Sequence, residues 1–337
     1  MPLQQLIQTY LPAIENELQL AVARSHAPHY AELLKMMRYH MGWEGEGAGS
    51  KATGKRVRPL LVLLTAAAAG GNWKNTLPAA AAVELVHNFS LVHDDIEDNS
   101  PLRRGRPTVW KIWGLSQGIN TGDTLFTLAH LEMLELRRSV STKIVLDAAS
   151  LLQQTCLHLT QGQFLDISYE NRNDLVLSDY WPMVSGKTAA LLEACTELGA
   201  IVAESDAATR NSYRLFGRDL GLAFQALDDY LGIWGDVSET GKSAASDLLE
   251  GKKSLPVLFG LQQNGAFAAR WRQGPISPEE VPTLAAQLAT EGGQAYTQQQ
   301  AERLTQQALD ALEAANPLGD AGEALVELAN ILLKREV

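Results

Sequence analysis

The chain has 337 residues, 46% hydrophobic and 20% charged, with 28 Lys+Arg against 39 Asp+Glu for a formal net charge of -11. This composition can bury a large core, and the acidic balance excludes the positive surface that holds nucleic-acid phosphates. Taken alone it also argues against small polyanionic ligands, unless bound cations reverse the local field.

In chain order, residues 1–20 lack a basic leader, a continuous apolar core and a small-residue cleavage site, so they read as an amphipathic helix and the expected location is cytoplasmic. A glycine-rich break follows at Gly42–Gly54, ending in Gly54-Lys55-Arg56-Val57-Arg58-Pro59. Beyond it lies the longest apolar run, Leu60–Ala69, far short of the roughly 20 residues that span a bilayer. Pro78 opens a helix that runs into His93-Asp94-Asp95-Ile96-Glu97-Asp98. Asp94 and Asp98 share one face, a turn apart, at the helix end where anions are least welcome. Carboxylates there cost stability unless a cation compensates, and oxygen ligands on a rigid helix suit Mg²⁺. The plain alternative is a solvated acidic helix end.

Arg103 and Arg104 follow that cluster closely. A second acidic cluster, Asp228-Asp229-Tyr230-Leu231-Gly232-Ile233-Trp234-Gly235-Asp236, ends another apolar helical stretch. Two such helices could face each other across a cavity and hold several metal ions. Lys187-Thr188, Lys242 and Lys252-Lys253 complete the basic set. Each alone is a solvated charge, but together, beside two carboxylate clusters, they describe a place for pyrophosphate groups. Ser185-Gly186-Lys187-Thr188 and Gly241-Lys242-Ser243 are near misses to a P-loop, since Trp181 and Asp236 stand where its first glycine belongs. Ser277-Pro278-Glu279-Glu280 has the form of a capping box starting a late helix.

Cys156 and Cys195 are the only cysteines, without zinc-ligand or disulfide-framework spacing. No stretch alternates β-branched and polar residues convincingly. The expected fold is all-α, one large helical domain over residues 1–337 with no transmembrane segment.

Six segments carry a resemblance: GKRVRP at 54–59, ELVHNFSLVHDDIEDNSPLRRGRPT at 84–108, GQFLDI at 162–167, SGKTAALL at 185–192, FQALDDYLGIWGD at 224–236, and the GK…DLLEGKKSLP run at 241–256. In this order and at these separations the sequence resembles the trans-isoprenyl (polyprenyl) diphosphate synthases over nearly its whole length. The resemblance implies a helical bundle around a central cavity, of isoprenoid synthase type, that condenses isopentenyl diphosphate with an allylic diphosphate. It implies Mg²⁺ at Asp94 and Asp98, with Asp95 supporting, and at Asp228, assisted by Asp229. Arg103, Lys187, Lys242 and Lys252 would hold the allylic diphosphate, and Gly54, Lys55, Arg58, His87 and Arg104 the isopentenyl diphosphate. Thr188, Gln225 and Lys187 would face the developing allylic cation. A homodimer is implied as well. Lys334-Arg335 would either fold over the second substrate or form a solvated helix end.

This chain departs from the family pattern at Gly232, where a third aspartate is usual; Asp236, acting through water, is one substitute. Product length falls to Phe89 and Ser90, roughly 7.5 Å and 6 Å below Asp94 along the helix. An aromatic there with a small neighbour resembles geranylgeranyl-producing members, with a farnesyl product as the alternative. A class I terpene cyclase would not need Lys55, Arg58 and Arg104, a phosphohydrolase would need further histidine ligands, and intact aspartate motifs speak against a non-catalytic synthase subunit.

Overall fold

The computed structural model describes residues 2–235 and 246–333. In chain order the helices are α1 (Pro2–Ala23), α2 (Ala31–His40), α3 (Ser50–Thr53), α4 (Val57–Ala68), α5 (Leu77–Glu97), α6 (Val109–Trp113), α7 (Leu115–Leu134), α8 (Thr142–Tyr169), α9 (Leu177–Val184), α10 (Ala190–Val202) and α11 (Ala207–Trp234). After the second acidic cluster come α12 (Ser246–Leu249), α13 (Leu255–Gln263), α14 (Ala266–Trp271), α15 (Val281–Thr290), α16 (Gly293–Ala314) and α17 (Gly319–Leu333). The all-α expectation holds with one exception. Strands β1 (Leu102–Arg103) and β2 (Arg106–Pro107) form a hairpin too short for any alternation to reveal. No helix among the described residues is long and apolar enough to cross a membrane.

Contacts gather into two compact units. One comprises Met1–Gln154, Ala194–Arg210 and Asn316–Leu325; the other comprises Thr155–Glu193, Asn211–Ala315 and Val326–Val337. In the first, α1 buries Tyr10, Ile14 and Leu18 along one stripe, as an amphipathic helix should. Helix α4 is apolar nearly all round and buries Leu60 through Ala66 on every face. Along α5, small side chains from Ala79 to Ala82 are fully buried and allow neighbours to approach closely. Helix α7 meets the acidic end of α5 through Gly118 and Gly122. A Cβ at Gly122 would fall 2.3 Å from the His93 ring, and one at Gly118 2.9 Å from Ile96.

The second unit has its own core, in which Ile233, Leu248, Val257, Phe267, Val281, Leu284 and Leu288 pack together. Here the capping-box expectation is corrected. Helix α15 begins at Val281, three residues later than the Pro278 start that the box suggested. The Ser277 backbone N–H does donate to Glu280 Oε2 at 3.0 Å, but Glu280 is bound bidentately by Arg270, at 2.6 and 2.7 Å. The box residues therefore close a turn that precedes the helix.

Candidate active site

In the first unit the site starts from the last turn of α5. Asp94 is half-buried and Asp98 is exposed at the C-cap, its N–H donating to the Asp94 carbonyl at 2.9 Å. Asp95, one position on, points to a different face. It is 2% exposed and accepts from Arg103 Nε at 2.7 Å. Burial raises the Asp95 carboxyl pKa, against the pull of the Arg103 guanidinium.

The hairpin explains how two adjacent arginines reach different partners. Arg104 and Gly105 both have positive φ, 52° and 75°, and sit between Arg103 and Arg106, which pair across the register. This is a two-residue turn of the type whose twist matches its flanking strands. Arg103 is delivered to Asp95, whereas Arg104 Nη1 donates to the Ala52 carbonyl at 2.7 Å. Arg106 is buried, donates to the carbonyls of Tyr39, Glu44 and Glu46, and lies over the Tyr39 ring at 4.0 Å. It pins the glycine-rich loop.

Arg103 and Arg104 line a pocket of about 20 Å³ together with Tyr39, His40, Ala52, Asp95 and Arg106. That is room for about one water molecule. Positive charge is concentrated there. Burial and then Arg103, Arg104 and Arg56 push the His40 imidazole down to about 3. Burial and then Arg58, Arg104 and Arg103 hold His87 well below the ordinary imidazole range. Burial likewise lowers Arg58 and Arg104. Burial first, and the neighbouring guanidiniums after it, disfavour protonation of both histidines, and the same fixed cations favour an anionic guest. His40 escaped sequence reading because it ends a helix just before the glycine-rich break and belongs to no motif.

Gly54, at φ 79°, closes this region. A Cβ there would fall 2.7 Å from Arg104 Nη2. Because that atom is the tip of a flexible side chain, Gly54→Ala should displace the guanidinium and leave the fold standing. If Arg104 is the substrate contact that the resemblance implies, steady-state kinetics should show a raised KM, with about 1–3 kcal/mol of stability lost because φ 79°, ψ −177° is a region essentially only glycine occupies. An unchanged KM in a folded variant would sever Gly54 from Arg104. Lys55 is exposed beside Gly54.

The second unit has its own polar cluster around Asp229, which is 1% exposed. Asp229 Oδ2 accepts from Tyr180 OH at 2.8 Å and from the Leu255 N–H at 2.9 Å, while Oδ1 accepts from Gln225 Nε2 at 2.9 Å. Gln225 Oε1 in turn accepts from Thr188 Oγ1 at 2.8 Å. One buried carboxylate thus ties together α9, the 185–189 segment, α11 and the start of α13. Asp228 stays half-buried beside it. Ser185–Ala189 is a single turn of π-helix, a form that recurs at functional sites. It lies hard against α8, since a Cβ on Gly162 would fall 2.1 Å from the Lys187 nitrogen and one on Gly186 2.6 Å from the His158 carbonyl. That close approach brings Lys187 Nζ onto Asp166. Lys252 Nζ lies 3.6 Å from Asp229 Oδ1 and 3.5 Å from Asp247 Oδ2. Burial works against the Lys252 charge, but Asp229, Asp247 and Asp228 outweigh it and raise its pKa. Lys242, Asp236, Lys334 and Arg335 lie outside the described residues.

Among the described residues no three acidic, histidine or cysteine side chains converge as a complete metal cage. The donor set still fits Mg²⁺, which takes one or two carboxylates and fills its remaining positions with water and phosphate oxygens. Asp94 and Asp98 supply such a pair, a turn apart, at a helix end whose carbonyls add negative potential.

Helical architecture, two carboxylate motifs and a crowded cationic pocket define an enzyme that handles diphosphates. A family model described as polyprenyl synthetase matches residues 48–287, and the chain belongs to that family of prenyltransferases. It is 40% identical over 314 residues to a geranylgeranyl diphosphate synthase of Mycobacterium tuberculosis, covering 90% of this chain and 87% of that one. It is 35% identical over 311 residues to a (2E,6E)-farnesyl diphosphate synthase of Mycobacterium bovis, covering 89% and 86%. The crystal structure of a polyprenyl synthetase from Streptomyces coelicolor A3(2) superposes with a TM-score of 0.86 at 36% identity, covering 98% of this chain and 99% of that one.

Proposed function

We propose that this chain condenses isopentenyl diphosphate with dimethylallyl, geranyl or farnesyl diphosphate to make a short-chain all-trans prenyl diphosphate, with geranylgeranyl diphosphate as its product. The observation that carries the reading is the juxtaposition across the Asp95–Arg103 ion pair. The acidic end of α5 lies next to a cationic pocket lined by Arg103, Arg104, Arg106 and His40, with Arg58 and His87 coupled to the same charges. An enzyme that only ionises one diphosphate has no use for the second, cationic pocket. One that joins two diphosphates needs both.

In this reading Asp94, Asp98 and Asp228 hold Mg²⁺, with Asp95 and Asp229 fixing their surroundings from buried positions. When bound, Mg²⁺ would neutralise charge building on the departing diphosphate. The protein's own residues do the rest. Arg103, Lys187 and Lys252 bind the allylic diphosphate and offset the same charge electrostatically. Lys242, outside the described residues, belongs to that set by its place in the sequence. Gly54, Lys55, Arg58, His87 and Arg104 hold isopentenyl diphosphate so that its alkene meets the cation. The Thr188 hydroxyl donates a hydrogen bond to Gln225 Oε1, which leaves its oxygen lone pairs for the allylic cation. No side-chain base is required, because the released diphosphate can accept the proton. A homodimer working in the cytoplasm completes the proposal.

The product assignment rests on Phe89. Its ring meets Phe126 of α7 edge-on at 4.8 Å between centroids and His93 at 5.4 Å. A ring braced by two others makes a firm floor for a growing chain. Ser90 leaves room beside it, its hydroxyl tied back to the His87 carbonyl at 2.8 Å. Incubation with each allylic diphosphate, isopentenyl diphosphate and Mg²⁺, with products separated by length, should give geranylgeranyl diphosphate. Phe89→Ala should extend it by at least one isoprene unit. A product ending at farnesyl diphosphate would favour the shorter-chain alternative, and a distribution unchanged by Phe89→Ala would remove Phe89 as the floor.

A further inference from the structure

The sequence sets two lysines side by side at 252 and 253, and the fold sends them in different directions. The Lys252 ammonium turns to the carboxylates of Asp229 and Asp247, at 3.6 and 3.5 Å. The Lys253 ammonium lies 5.2 Å from the centre of the Trp271 ring instead. Among the described residues no carboxylate offsets the burial that lowers its pKa. It borders a cavity of about 270 Å³ that lies wholly within the second unit.

The link between α8 and α9 supplies Arg172, Asp174 and Leu175 to the lining. The ends of α13 and α14 supply Leu261, Trp271 and Arg272. Arg172 holds Asp174 through two bonds of 2.8 Å, from Nε and Nη2, so those two charges cancel. Arg272 Nη2 donates to the neutral Asn264 Oδ1 at 2.6 Å. Two positive charges, on Lys253 and Arg272, therefore stay uncompensated within the lining, on a chain whose net charge is -11. An anion carrying two charges balances them, and a planar guanidinium beside a compact ammonium suits phosphate oxygens. The rest of the lining has an apolar share. Leu175 is buried, and Leu261 and Trp271 are partly buried against the second unit's core. Phe267 backs the Trp271 ring at 5.6 Å between centroids. The space is many times what one water needs, and it lies near the lower end of small-ligand pockets, roughly 300–1,000 Å³.

We propose that this cavity is a binding site for the phosphate monoester of a flat ring compound, built from residues outside the two acidic motifs. Lys253 and Arg272 take the phosphate, which carries close to two negative charges at neutral pH. The ring lies against Leu175, Leu261 and Trp271, where an indole favours another ring over a flexible chain. Lys253 thereby exchanges a weak contact with an aromatic face for a full counter-ion. The prenyl-transfer reading uses none of these residues, so the site stands or falls independently of it.

Equilibrium dialysis of the full chain without divalent metal, against phenyl phosphate, inorganic phosphate or phenol, tests the proposal. Phenyl phosphate should bind once per chain. Inorganic phosphate should bind about tenfold or more weakly for want of the ring, and phenol should not be retained. Lys253→Gln and Arg272→Gln should each weaken phenyl phosphate about tenfold or more, the loss of one charge-assisted contact. Neither side chain belongs to the buried core, so circular dichroism of both variants should match wild type. Asp228→Ala and Arg104→Gln should bind phenyl phosphate within about twofold of wild type. Affinity that falls in Arg104→Gln but not in Lys253→Gln would put the ester in the cationic pocket of the first unit and overturn the proposal. Inorganic phosphate held as tightly as phenyl phosphate, or no phenyl phosphate retained at millimolar concentration, would overturn it too.

Discussion

Asp94→Ala and Asp228→Ala each lower turnover by about 10²–10³-fold or more, the loss expected when one preorganised group facing transition-state charge is removed. Far-UV circular dichroism should remain that of the wild-type helical protein. Both side chains are half-buried at or near helix ends, and neither belongs to the apolar cores that hold the helices. Alanine also relieves like-charge crowding with neighbouring carboxylates, so the unfolding midpoint should hold or rise slightly. Chelation of divalent ions should abolish turnover in the wild type, and Mg²⁺ should restore it. Wild-type-like turnover in either alanine variant would end the assignment of that motif to metal. Loss of turnover together with loss of helicity would mean that the carboxylate was structural.

The residues in this prediction were legible without coordinates because their information is local. Two aspartates at helical spacing, at the wrong end of the dipole, point to a compensating cation, with a solvated helix end as the alternative. The same holds for Lys187 and Thr188, which announce themselves by type and order. What could not be read depends on partners remote in sequence. Nothing local to His40 says that Arg103 and Arg104 arrive beside it, and nothing at Asp229 says that Tyr180 and the Leu255 N–H close on it. The hairpin was invisible for another reason: strands of two residues carry no periodicity, and the Arg104-Gly105 turn that aims the two arginines was read only as basic sequence. Asp95 and Asp229 were legible as members of motifs but not as their buried members. Adjacent residues on a helix differ by 100° in direction, and only packing decides which of two neighbours turns inward.

Arg56 is the sharpest case, and its loss should be the most damaging single change to stability. It sits between Lys55 and the Val57 that begins α4, in a basic run, where sequence alone suggests a solvated charge or another diphosphate contact. Instead its side chain is 2% exposed. Nε meets Glu15 of α1 at 2.6 Å, Nη1 meets Glu84 of α5 at 2.8 Å, and Nη2 donates to the Met41 carbonyl at 3.3 Å. Its φ of 50° is a strained choice for a side-chain-bearing residue, and the ion pairs offset that cost. Arg56→Met should cost about 3–5 kcal/mol in denaturant unfolding, because it leaves the Glu84 carboxylate buried without its cation. Glu84 is 3% exposed, with Asn88 Nδ2 donating to the same Oε1 at 3.0 Å, so solvent cannot relieve that penalty. Adding Glu84→Gln to Arg56→Met should recover a substantial part of the loss, since a carboxamide keeps the Asn88 contact without a charge to compensate. If Arg56→Met unfolds at the wild-type midpoint, the ion pairs hold nothing together. If the second substitution gives no recovery, the damage comes from lost packing and not from the stranded carboxylate.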